Sequence, residues 1–137
     1  MIDIEYDVFN AVYSVLCEAG TGQTPLVPVG NLSGVYVPAP ESFPFVMLIE
    51  MDNSTDTTRR STATTEDFAN VTYSADIFAM DKDECKQIAS ALDDKMISLG
   101  FSRISAPYLL NVEDPRIHRK TARYSAKVDQ NKVIYRR

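Results

Sequence analysis

Residues 68–106 constrain the fold more than any other stretch, because the hydrophobic period changes twice within them. From Asn70 to Ala79 the chain alternates, with Val71, Tyr73, Ala75, Ile77 and Ala79 on one face and Asn70, Thr72, Ser74 and Asp76 on the other. That is the period of a half-buried strand. Asp81 then offers a helix N-cap, and Glu84, three residues on, the return partner of a capping box. Cys85, Ile88, Ala89, Leu92, Met96 and Leu99 recur at helical spacing, on a single face about 100° wide. Gly100 stands where a left-handed C-terminal residue is wanted, and Phe101 begins a second strand. A strand, a one-faced helix and a returning strand predict a sheet with a helix laid on it.

The flanks extend this unit. Residues 3–19 predict a first helix whose core stripe is Ile4, Val8, Ala11, Val12, Val15 and Ala19. Tyr6, Phe9, Tyr13 and Cys17 carry the apolar surface further round, leaving only Asp3, Asp7, Asn10, Ser14 and Glu18 as a narrow polar stripe. A helix apolar over more than half its circumference needs cover on two sides. One cover is the sheet; the other is a neighbouring subunit against Tyr6, Phe9, Tyr13 and Cys17, or the following loop folded over the tyrosines. Residues 23–44 are rich in Pro and Gly, which excludes them from a central strand. The apolar run Phe45–Met51 predicts a strand covered on both faces or nearly so.

Residues 52–67 hold no apolar side chain larger than alanine, and predict a long polar hairpin loop with Arg59 and Arg60 near its tip. It is either a solvated loop or an arm that orders against a partner or faces DNA. From Ile117 to Val128 the chain alternates again: His118, Ala122, Tyr124, Ala126 and Val128 point one way, interrupted by Lys120, and Arg119, Thr121, Arg123, Ser125 and Lys127 the other. Arg119, Arg123 and Lys127 form a basic row that could meet phosphate or pair with an acidic stripe across a subunit boundary. The expected fold is α+β: one domain over residues 1–137, with two helices on a mixed, mostly antiparallel sheet.

Charge is divided along the chain. Residues 1–100 carry five Lys/Arg against sixteen Asp/Glu, a balance of −11, whereas residues 101–137 carry nine against three, a balance of +6. A simple nucleic-acid binder would be basic throughout. A divided chain suits an acidic surface that meets a basic one on another copy or another partner. The acidic start, Met1 to Glu5, is unlike a signal or transit peptide. No apolar run reaches the length of a membrane span, so no membrane partner is expected.

Motifs for chemistry are missing from the sequence. It has no glycine-rich phosphate loop and no nucleophile elbow. His118, the one imidazole, sits in an Arg/Lys stretch and is expected at the surface. The adjacent carboxylates Glu66-Asp67, Asp93-Asp94 and Glu113-Asp114 flank turns or a polar helix face, where solvation accounts for them. Cys17 and Cys85 with one histidine are too few for a closed zinc site without carboxylates, and buried thiols are expected instead. No catalytic residue, cofactor or metal is expected, and the chain is expected not to be an enzyme.

The order of elements, with Phe43-Pro-Phe-Val-Met-Leu-Ile-Glu50, Val71-Thr-Tyr-Ser-Ala-Asp-Ile-Phe78 leading into Cys85-Lys-Gln-Ile-Ala-Ser-Ala-Leu92, and Leu99-Gly-Phe101, resembles the tail terminator (tail completion) proteins of long-tailed bacteriophages. The likeness covers nearly the whole chain, through pattern more than motif. It implies a virion protein, assembled in the bacterial cytoplasm, whose copies form a ring, usually six-fold. The ring caps the tail tube, joins it to the neck and head, and lets DNA through its lumen without sequence-specific binding. It implies no enzymatic activity and no cofactor. Tyr6, Phe9, Tyr13 and Cys17 would then lie between subunits, and Arg59, Arg60, Arg119, Arg123 and Lys127 would face the lumen or an adjoining ring. The neighbouring stopper of the neck, and a small dimeric ligand-binding module or enzyme, are the alternatives.

Overall fold

A strand predicted from alternation alone forms the centre of the sheet. The computed structural model describes residues 2–18, 26–28, 30–37, 40, 42–55, 68–105, 108–110 and 116–136. Strand β3 (Phe68–Ala79) pairs antiparallel with β2 (Phe45–Thr55) on one side and β6 (His118–Asp129) on the other. Beyond β2 lies β1 (Leu32–Ser33), the one parallel neighbour among the described pairings. Beyond β6 lies β4 (Ser102–Ser105), while β5 (Tyr108–Leu110) and β7 (Ile134–Arg136) also pair with β6. The two helices, α1 (Glu5–Leu16) and α2 (Lys82–Leu99), pack against one another and share one core with the sheet. The fold is therefore α+β, a mostly antiparallel sheet carrying two helices.

The register explains which residues form that core. Val46, Leu48 and Glu50 of β2 stand opposite Ile77, Ala75 and Tyr73, and these stand opposite Lys120, Ala122 and Tyr124 of β6. This is the face the helices cover, and Val71, Tyr73, Ala75 and Ile77 are all buried. From α2 come Cys85, Ile88, Ala89, Leu92 and Met96, and from α1 Ile4, Val8, Val12 and Leu16. Phe101, fully buried, stacks edge-on against Tyr73 with ring centroids 5.5 Å apart and planes 86° apart. That geometry suits the aromatic quadrupoles.

The N-cap residue and the C-terminal stop of α2 follow the sequence. The Asp81 carboxylate accepts from the Asp83 amide at 3.0 Å, one turn-end donor satisfied. Asp81→Ala is expected to cost about 1 kcal/mol in urea denaturation. Gly100 closes the helix at φ 109°, a conformation that L side chains rarely adopt. A Cβ there would stand 3.0 Å from Ile134 Cγ2 and 3.1 Å from the Ile134 carbonyl oxygen. Gly100→Ala therefore combines backbone strain with a push on β7, and is expected to cost about 2 kcal/mol by the same measurement.

Two sequence expectations change. β2 does not stop at Met51 but runs on to Thr55, because Asp52–Thr55 pair with Thr72–Ala69 of β3 and need no apolar side chains to do so. Four residues of the expected polar loop are thus strand; residues 56–67, with Arg59 and Arg60, lie outside the described residues. The wide apolar surface of α1 is also covered in part by α2 of the same chain.

Candidate functional site

The sequence singled out one face of α1, and the structure divides it. Tyr6 is 78% exposed. Phe9 and Tyr13 are half-buried and lean on the core, with the Phe9 ring 3.7 Å from the position a Gly34 Cβ would take. Val35 and Tyr36, which follow Gly34, are 70% and 72% exposed. Cys17 departs from the expectation. It is buried in its own chain, its thiol 4.0 Å from the Pro28 carbonyl, under the segment that Val27 ties back to Leu16. A side chain already covered at the helix end is no interface residue. Burial pushes the thiols of Cys17 and Cys85 upward, so neither is a ready nucleophile.

The basic row on β6 is also uneven. Arg119 is held at 3.2 Å by Asp76 of β3, which also accepts from Thr121, and lies over the Phe78 ring. Lys127 stands over the ring of Phe68. Arg123 is the exposed member of the three. Intrachain partners for Arg119 and Lys127 were hidden in the sequence, because they depend on the β3–β6 register. On the covered face, Tyr124 donates to Asp93 at 2.8 Å and Arg103 approaches the same carboxylate at 3.2 Å, tying α2 to β6 and β4. Lys86, Lys120, Arg103 and Asp93 line a hollow of about 180 Å³ beside this network.

A cluster that the sequence did not suggest lies where α1 begins. Asp3, Glu5 and Glu50 bring one carboxylate oxygen each to within 4.8 Å of one another. Two sit at the start of a helix, where the macrodipole favours negative charge, and Asp3 accepts from the Glu5 amide at 3.0 Å. The third comes from β2. A β-bulge between Glu50 and Asp52 inserts Met51 as an extra residue. The insertion breaks the period of two, so that Glu50 opposite Tyr73 and Asn53 opposite Val71 share the covered face. Asn53 Nδ2 then donates to Glu50 at 3.1 Å and to the Ile2 carbonyl at 2.7 Å, fixing the segment before α1 to the strand.

Burial and the Glu5 charge push the Glu50 carboxyl up to about 6, against the opposing hydrogen bond from Asn53. Glu50 therefore holds its proton in the folded chain to a higher pH than in the unfolded one. Its contribution to stability is constant below about pH 4.5, falls as the pH rises through 6, and is level above. With its partial exposure discounted, the loss is about 1 kcal/mol. Urea denaturation in EDTA is expected to show it as a pH-dependent difference between the native chain and Glu50→Gln. The Tyr73 hydroxyl is also pushed upward, by burial first and then by Glu50, Glu5, Asp3 and Asp7.

Comparison with known proteins finds no matching protein-family model and no matching curated protein.

Proposed function

We propose that this chain is a structural subunit that builds a homo-oligomeric ring in a phage neck or tail, as a tail terminator would. The supporting observation is the apolar surface at α1: Tyr6 is 78% exposed on the same helix face as half-buried Phe9, with Val35 and Tyr36 exposed on the segment that abuts Phe9. Adjoining apolar side chains left open by their own chain mark a surface for a partner. The divided charge suits the same reading, since copies standing head to tail, as in a ring, can set an acidic flank against a basic one. Arg123, exposed on β6, is the member of the basic row Arg119, Arg123 and Lys127 most available to a neighbour or to DNA in the lumen.

In this reading the protein works by surface complementarity. Its neighbours would be its own copies, the tail tube and the neck proteins, with DNA passing through. Negative-stain microscopy and native mass spectrometry of the purified chain, alone and with tail tubes, test it. Closed rings, free or at tube ends, are expected; a compact dimer or a monomer that never decorates tubes would overturn it.

A further inference from the structure

We propose that Asp3, Glu5 and Glu50 form a binding site for a hard divalent cation that fastens the start of α1 to β2. The site is built. Its three carboxylates converge within 4.8 Å, with Glu50 brought to Asp3 and Glu5 from 45 or more positions further along the chain. The Met51 bulge turns Asn53 to the same face as Glu50, where it holds that carboxylate by a hydrogen bond.

Two buried, unpartnered oxygens belong to residues on the same covered face as Glu50. Tyr73 is 1% exposed and stands directly opposite Glu50 in the β2–β3 ladder. Its hydroxyl feels the charges of Glu50, Glu5, Asp3 and Asp7, yet it has no hydrogen-bond partner among the described residues. Asn53 Oδ1 is buried and equally unpartnered. Polar atoms left so are costly in a native fold. The charged and titratable groups facing the cluster are Asp3 in the segment before α1, Glu5 and Asp7 of α1, Glu50 itself and Tyr73.

A hydrated cation answers both needs. Its charge draws the carboxylates together, and its waters donate to the Tyr73 and Asn53 oxygens. An all-oxygen set, with Asp3 and Glu5 exposed to solvent, suits calcium, magnesium or manganese and not a thiophilic metal. Calcium is favoured among them, since it accepts flexible oxygen sets whereas magnesium demands near-ideal octahedral geometry. With two of the three carboxylates exposed, affinity is expected on the order of 10⁻⁴ M.

The inference stands apart from ring building, because it is tested on the dispersed chain. Thermal unfolding of the native chain is followed with calcium, magnesium or manganese chloride, against sodium chloride at matched ionic strength. At about tenfold over Kd, calcium is expected to raise Tm by roughly 5 °C. Glu50→Gln, which keeps the fold's shape and removes one ligand charge, should lose that rise. Terbium gives a second readout. The chain has no tryptophan, so tyrosine-sensitised terbium luminescence should appear, be displaced by calcium and fall at least tenfold in Glu50→Gln. An equal cation response in the native chain and Glu50→Gln would reveal diffuse binding to an acidic surface and overturn the site. No response in either would overturn it as well.

Discussion

Phe101→Ala is expected to bring the chain close to unfolding at room temperature. Phe101 is fully buried at the point where α2 turns back into β4, and its ring packs edge-on against Tyr73 at the centre of the sheet. Truncating a buried phenylalanine costs about 3–5 kcal/mol, including the cavity left behind. The lost aromatic pair accounts for about 1 kcal/mol within that range. A domain of this size has a total stability of about 5–15 kcal/mol. Phe101→Leu fills most of the space and is expected to lose less than half as much. Urea denaturation of the two variants measures the difference, and near-equal midpoints would show that refilling the apolar volume recovers nothing, contradicting the cavity account.

Tyr6→Ala carries the second large effect, on assembly and not on folding. The side chain is 78% exposed, so its removal should change the stability of the isolated chain by no more than about 0.5 kcal/mol. An aromatic anchor at a subunit contact is worth about 2 kcal/mol or more when truncated. Each contact should weaken at least about thirtyfold, and sedimentation velocity should show the ring dissociating at concentrations where the native chain stays assembled. Unchanged assembly in a folded variant would place the contact elsewhere.

What the sequence disclosed follows from how local its signals are. The β3–α2–β4 unit was legible because each element's period, cap and stop lie within its own residues, from Asp81 at one end of α2 to Gly100 at the other. The long alternation before Asp129 was legible for the same reason, down to Lys120 breaking the apolar face. The extension of β2 over Asp52–Thr55 was not. Its polar side chains carry no strand signal, and the pairing that makes them a strand comes from Thr72–Ala69. The sequence alone leaves Arg119 to meet phosphate or another subunit, and the register instead sets it beside Asp76 of its own chain.

The acidic cluster is the clearest case of information that local reading cannot hold. Strict alternation puts Glu50 and Asn53 on opposite faces, since their positions differ by three, an odd number. Only the bulge at Met51 reverses this, and only the packing of α1 brings Asp3 and Glu5 to the same place. The width of the apolar surface on α1 was legible, but not how it would be shared. α2 and the Leu26–Pro28 segment cover more of it than periodicity could show, and leave Tyr6 outside.

The account depends on that one uncovered ring being buried by a second copy. Hydroxyl-radical footprinting of the native chain, assembled and diluted to monomer, reads it directly. Oxidation of Tyr6 is expected to fall severalfold on assembly while that of Tyr135, 46% exposed beside Asp129 on β7, stays constant. Equal oxidation of Tyr6 in both states would contradict the central claim.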